Sequence, residues 1–120
     1  MFREVHRGEI YYVDLSPVIG SEQGGIRPAV VLQNDVGNHY AGTTIIAPTT
    51  TRVKHLLPTH VYIPPHTRGI DLDRGSLVLL EQVRTVSKLR LRDCRGVCPP
   101  AIMERIERAL KISLGFEGSE

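Results

Sequence analysis

Tryptophan is absent, and aromatic residues of any kind make up only 5% of this 120-residue chain. A surface that stacks a series of unpaired bases needs several rings, so a broad stacking platform is not expected. Cysteine is nearly as scarce, with Cys94 and Cys98 the only two. A structural zinc takes four ligands at regular intervals, and the histidines (His6, His39, His55, His60 and His66) show no such spacing. Two reduced thiols and no metal site are the expectation. Long apolar runs are missing as well. The longest, such as Leu77 to Leu80, hold four residues, against ~18 for a membrane span. The opening "MFREVHRGEI" has no apolar stretch of the secretory kind, which points to the cytoplasm and away from membranes.

No nucleotide-binding glycine fingerprint, phosphate-cradling Walker loop, G-x-S-x-G elbow or H-E-x-x-H helix occurs. Internal repeats and low-complexity tracts are also missing. Charge of either sign is modest: the formal net charge is +2, with 23% charged and 41% hydrophobic residues. That balance does not by itself announce a nucleic-acid partner. Its distribution is less even. "RTVSKLRLRDCR" holds Arg84, Lys88, Arg90, Arg92 and Arg95 against Asp93 alone, and Arg52 and Lys54 follow "PTTT". The plain interpretation of such a run is a solvated face on a strand or turn, with a polyanion-binding surface as the alternative.

What the chain does have is a succession of short apolar stretches punctuated by Gly, Pro and Asn. "EIYYVDL" (Glu9 to Leu15) is rich in aromatic and β-branched residues and stops at Ser16-Pro17. "PAVVLQN" (Pro28 to Asn34) is a near-continuous apolar run, as a buried strand requires. "TTIIAP" (Thr43 to Pro48) is a third strand closed by its proline. "THVYIPP" (Thr59 to Pro65) sets His60 and Tyr62 against Val61 and Ile63. "GSLVLLEQVRTVS" carries a fifth strand and a sixth around Val83 to Val86, interrupted by a helical turn. With no crossover helices between them, these strands predict an antiparallel sheet that closes on itself as a small barrel, removing exposed edges.

The last segment changes period. "PPAIMERIERALKISLG" brings Ile102, Ile106, Ala109 and Leu110 to one face of a helix. Pro99 and Pro100 suit its first turn and Gly115 its stop. Glu104 with Arg108, and Glu107 with Lys111, are i,i+4 pairs in the favourable order. This helix is expected to cover an open end or face of the sheet. The length is that of one domain, 1–120, with its core about 7–114.

Chemistry concentrates in "GSEQGGIRP", Gly20 to Pro28. Gly24 and Gly25 permit positive φ and a close backbone approach, and exposed amides there would face an anion. Arg27 follows, a planar fork of donors matched to phosphate oxygens, and Pro28 forces it out of the helical region into a strand. Pairing with Glu22 on the surface is the competing role for Arg27. "APTTTR" places Thr49, Thr50, Thr51 and Arg52 at a strand end, where hydroxyls either satisfy a turn or donate to phosphate. "LLEQVRT" places Glu81, Gln82 and Arg84 where they line a groove or simply face solvent.

Taken in order, "RGEIYYVDLSPVIGSEQGGIRPAVVLQND", "TTIIAPTT", "LPTHVYI" and "LVLLEQVRTVSKLRL" closely resemble the MazF/PemK (Kid) family of toxin endoribonucleases. The match runs from Arg7 to about Leu114. The resemblance implies a mostly β, SH3-like barrel with a C-terminal helix, acting as a homodimer. It implies metal-independent, cofactor-free, sequence-specific cleavage of single-stranded RNA, and a cognate antitoxin that covers the RNA groove. The family's catalytic arginine falls on Arg27 and its threonine on Thr50, with Thr49 and Thr51 as neighbours in doubt. Ser21, Glu22, Gln23, Gly24, Gly25, Thr49, Thr51, Arg52, Glu81, Gln82 and Arg84 are the expected RNA-binding residues.

In such chemistry the RNA's own 2′-OH attacks the adjacent phosphate, giving a 2′,3′-cyclic phosphate and a 5′-OH. Arg27 and Thr50 would steady the charge of the phosphorane. The general base is open between Arg27, whose guanidinium resists deprotonation, Glu22 and His60, whose place on an alternating strand favours a structural role. The second reading is a non-catalytic barrel that binds nucleic acid or a partner peptide.

Overall fold

The computed structural model describes residues 4–53 and 55–116. Seven strands and two helices follow one another: β1 (Glu9–Asp14), β2 (Ile26–Val31), α1 (Asp35–Tyr40), β3 (Thr43–Thr50), β4 (His60–Ile63), β5 (Ser76–Leu79), β6 (Arg84–Ser87), β7 (Leu91–Val97) and α2 (Pro100–Ser113). A 3-10 turn, Leu80–Gln82, separates β5 from β6, where an interruption is expected from the sequence. Pairing is antiparallel throughout, in the order β4-β5-β3-β2-β1-β7, with β6 also on β3.

The expected barrel does not close. The sheet's path ends at β4 and β7, and a single bridge, Ile70 to Gly96, carries the loop before β5 onto β7. The edge of β7 is therefore blunted by a loop instead of being paired along its length. β3 makes the curvature possible. Its first half (Thr43 to Ile46) pairs with β6, and its end (Thr49, Thr50) pairs with β5. Pro48 does not terminate it: the residue lies opposite Ala29 of β2, and the strand runs on to Thr50.

The sheet is buried on both faces, which is why β2 reads as a continuous apolar run. Ile10, Val30 and Ala47 point to one core with α2. Val13, Ala29, Val31 and Ile46 point to the other, with Val5, Leu15, Val86 and Leu91. α2 seals the first core through Ile102, Ile106 and Ala109, all buried, and Ser113 Oγ donates to Leu80 O at 2.8 Å. Truncating the fully buried Ile106 to alanine would cost roughly 2–5 kcal/mol. Glu107 of α2 accepts from Arg7 Nη2 at 2.8 Å. No ion pair joins Glu104 to Arg108 among the described residues.

Two elements depart from the sequence reading. α1 is six residues long and has no apolar stripe; Asn34 Oδ1 caps it by accepting from Gly37 N–H at 2.8 Å. Buried Asn38 holds it to β3, accepting from Thr44 Oγ1 at 2.7 Å and Gln33 Nε2 at 3.0 Å. The basic run forms the second element, β7, together with its approach. Its cations serve structure. Arg84 Nη1 donates to Leu15 O at 3.4 Å and Arg90 Nη1 to Asp14 O at 3.1 Å and to Ser16 O. Buried Lys88 donates to Asn38 O at the end of α1. The run is therefore more than a solvated face: Arg84 and Arg90 brace the loop that follows β1. No helix among the described residues is long and apolar enough to cross a membrane.

Candidate active site

Residues 15–25 connect β1 to β2 and form the rim of the site. Leu15 N–H donates to Gly25 O at 2.9 Å, closing the base of this loop. Gly25 has φ +75, so only glycine turns the chain there without strain. Farther out, Gln23 N–H donates to Gln82 Oε1 at 2.9 Å, tying the loop to the 3-10 turn. Gln82 is thus an anchor for the loop.

Arg27 is the second residue of β2, within the strand. Its Nε donates to Gly24 O at 2.7 Å and its Nη1 to Thr49 O at 3.0 Å. Two backbone acceptors therefore hold the guanidinium in one orientation, and Nη2 keeps its donors free of protein partners among the described residues. The expected alternative, an ion pair with Glu22, is not formed among those residues. Glu22 Oε1 accepts from Ile19 N–H at 2.8 Å within the exposed loop.

The neighbouring threonines divide by strand alternation. Thr49 is buried, and its Oγ1 donates to Pro28 O at 2.7 Å, which uses its only proton. Thr50 is half-buried, and its Oγ1 accepts from Arg52 N–H at 3.2 Å, which leaves the hydroxyl proton available. Thr51 lies beyond β3 at an exposed bend. Lys54 falls outside the described residues.

The surface here is a run of three depressions with shared walls. The first, about 410 Å³, takes in Arg27, Pro28, Thr49, Thr50 and Thr51. The second, about 320 Å³, shares Thr50 with it and adds Gln23, Arg52, His60, Glu81 and Gln82. The third, about 550 Å³, shares Gln23, Glu81 and Gln82 and adds Ser21, Glu22 and Arg84. Each residue named from the sequence as catalytic or RNA-binding, Gly24 and Gly25 apart, lines at least one of these adjoining depressions, which together make a trough beside the 20–25 loop. Glu22 lines the third depression and Arg27 the first, so the two do not share a pocket.

His60 is held as a structural residue. Leu57 N–H donates to its Nδ1 at 3.2 Å, so Nε2 carries the ring proton and donates to Glu81 Oε2 at 3.0 Å. Thr59 Oγ1 donates to the other carboxylate oxygen of Glu81 at 3.2 Å. Both oxygens of Glu81 are therefore occupied, which lessens its use as a reader of bases.

Sequence reasoning missed the far wall of the first depression: Tyr12, Asp71, Asp73, Arg74, Ser76 and Arg95. These come from β1, the loop before β5, β5 itself and β7, and no local motif links them. Two thiols complete the chemistry of the chain. Cys94 is exposed, and burial pushes the Cys98 thiol up to about 12.

Known proteins share this sequence pattern and fold. A family model described as "PemK-like, MazF-like toxin of type II toxin-antitoxin system" matches residues 6–114. Endoribonuclease EndoA of Bacillus subtilis (strain 168) is 48% identical over 113 residues, which is 93% of this chain and 96% of that protein. The crystal structure of MazF from Deinococcus radiodurans superposes with a TM-score of 0.81 at 26% identity, covering 94% of this chain and 98% of that one. An endoribonuclease from a mycobacterial species, solved in complex with its cognate antitoxin, gives a TM-score of 0.77 at 26% identity, covering 96% and 99%. With the family's pattern matched over nearly its whole length, this chain belongs to the PemK-like, MazF-like toxins of type II toxin-antitoxin systems.

Proposed function

We propose that this chain is a single toxin domain that cuts single-stranded RNA at short sequences, using the RNA's 2′-OH as the nucleophile. The toxin and endoribonuclease assignment follows from the family and from its endoribonuclease relatives. The observation that carries the chemistry is Arg27: two carbonyls hold its guanidinium in place and leave donors free in the pocket that Thr50 also lines.

In the proposed reaction, a base removes the proton from the ribose 2′-OH, and O2′ bonds to the adjacent phosphorus. The P–O5′ bond then breaks, and O5′ leaves with a proton. The products are a 2′,3′-cyclic phosphate and a 5′-OH, with no net consumption of water in this step. Arg27 and the Thr50 hydroxyl donate to the non-bridging oxygens as charge builds on them, and one such preorganised donor is typically worth ~10²–10³ in rate. The base is open between Arg27 and Glu22; Glu22 lines the third depression, apart from Arg27 and Thr50 in the first. Ser21, Gln23, Gly24, Gly25, Thr49, Thr51, Arg52, Glu81, Gln82 and Arg84 position the strand along the trough, several of them by shaping it.

Two such troughs side by side in a homodimer would accommodate several nucleotides, and the enzyme acts in the cytoplasm, where its RNA lies. Solved relatives bound to antitoxins support an antitoxin partner, and we propose that it covers the same trough. The test is one gel: a labelled oligoribonucleotide and its all-2′-deoxy counterpart, each with protein and EDTA. Cleavage of the RNA alone is expected. An uncut RNA that nonetheless binds would favour the non-catalytic reading, and a cut deoxy strand would rule out 2′-OH attack.

A further inference from the structure

Arg27 and the threonines make up one side of the first depression only. The opposite side is stiff. Asp71 N–H donates to Arg95 O at 2.7 Å, Val97 N–H donates to Gly69 O at 3.0 Å, and Ile70 pairs with Gly96 between them. Gly96 has φ +113, and a Cβ there would lie 2.1 Å from Gly69 O. The loop before β5 is thereby seated on β7 with no room for adjustment.

On this frame the Arg95 guanidinium lies over the Tyr12 ring, 5.2 Å from its centroid. Asp71 Oδ2 accepts from its Nη1 at 3.1 Å, and Asp93 stands 3.9 Å away on the other side. About a third of the Arg95 side chain (35%) remains exposed, so a further planar group can stack on it. Asp73 is exposed and makes no hydrogen bond or ion pair among the described residues. Its carboxylate can only accept hydrogen bonds.

The two walls therefore suit different parts of a nucleotide. A phosphate is drawn to Arg27 and Thr50, which donate, whereas Asp73 offers it no donor. A base is uncharged and can face a carboxylate, provided that it donates. Adenine, cytosine and guanine each offer an exocyclic amino group. Uracil offers only N3–H, flanked by two carbonyl oxygens that oppose the carboxylate. Arg74 and Arg95, on the same wall, balance the formal charge of Asp71 and Asp73, so the preference for a base rests on Asp73 as an acceptor without a partner among the described residues and not on net negative charge.

Resting on the activity proposed above, we infer that this wall selects the base beside the scissile phosphate. Asp73 accepts from an exocyclic amino group and excludes uracil, and Asp71 positions Arg95 as the stacking surface. The test uses a pool of unstructured oligoribonucleotides of random sequence, cut to low turnover by the intact protein, with the new ends sequenced. Wild type is expected to disfavour uracil at one fixed position next to the cut. Asp73→Asn, which adds a donor, is expected to weaken that exclusion roughly 5- to 100-fold, in line with the value of a good side-chain contact to a base. Asp73→Glu retains an acceptor-only group and is expected to keep it. An unchanged profile in Asp73→Asn, a wild type that accepts uracil at every flanking position, or the same loss in Asp73→Glu would overturn the inference. None of these outcomes touches the cleavage reading, which fails instead if the wild-type protein cuts no RNA at all.

Discussion

Thr49 and Thr50 are adjacent on β3, yet their hydroxyls meet different surroundings. Thr49 Oγ1 gives its proton to Pro28 O at 2.7 Å, inside the sheet, while Thr50 Oγ1 accepts from Arg52 N–H at 3.2 Å and faces the trough. Pleat geometry, which puts successive side chains on opposite faces, thus distinguishes Thr49 from Thr50, while Thr51 lies beyond the strand at an exposed bend.

Substituting these neighbours should separate catalysis from stability. Thr50→Val is expected to lower the cleavage rate by ~10²–10³ with little change in melting temperature. Thr49→Val leaves a buried carbonyl without its donor and is expected to cost about 1–3 kcal/mol. Single-turnover kinetics and thermal melts on both variants check this, and the reverse pattern would move the catalytic role to Thr49.

Arg27 should not tolerate lysine. A lysine keeps the charge but cannot hold Gly24 O and Thr49 O while presenting a further donor edge. Arg27→Lys is therefore expected to lose most of what Arg27→Ala loses, ~10²-fold or more in rate. Near-normal cleavage by Arg27→Lys would mean that positive charge alone suffices at this position.

Gln82 bears on binding through the loop that it holds. Gln82→Ala removes the acceptor for Gln23 N–H, so that amide should exchange with solvent faster. A higher KM with a smaller change in kcat is expected. Hydrogen exchange resolved at Gln23, together with steady-state kinetics, checks both parts.

Asp35 offers a test by pH. Arg7 N–H donates to Asp35 Oδ1 at 2.7 Å, and this bond holds the carboxyl below its usual range. A carboxylate whose folded pKa is depressed adds stability above the unfolded pKa and loses it as pH falls through the folded one. Wild type should therefore melt above Asp35→Asn near neutral pH. The gap should close as acid takes the solution below the usual carboxylate range; a gap that persists unchanged would assign it to packing.

The thiols should react unequally. Cys98 is buried and its thiol is pushed up to about 12, whereas Cys94 is exposed. Brief treatment of native protein with iodoacetamide at neutral pH should yield one adduct, on Cys94, by peptide mass spectrometry. Labelling of Cys98 at a similar rate would show that α2 opens readily.

The places of the first six strands and the α2 stripe were legible because burial imposes a period on the sequence: Ile10 and Val13, or Ile102 and Ile106, mark their faces directly. α1 was not, since its anchor is a buried asparagine bonded to Thr44 and Gln33, and a polar anchor leaves no apolar rhythm. The arginine run misleads for a related reason. Whether a guanidinium faces solvent or, like Arg84 and Arg90, grips a backbone carbonyl depends on residues about 70 positions away in sequence. On the site, the glycine-arginine and threonine segments were found because each is contiguous in sequence. The wall of Tyr12, Asp73 and Arg95 was not, because only folding assembles it.

The contact between Gly69 and Gly96 limits how this enzyme can be retargeted. Where two main chains touch, the gap between the facing walls cannot be widened gradually by larger residues at that junction. A lineage or a designer seeking another cutting sequence would be confined to exchanging the side chains displayed on the 71–74 segment, like changing the bitting of a key whose blank stays the same.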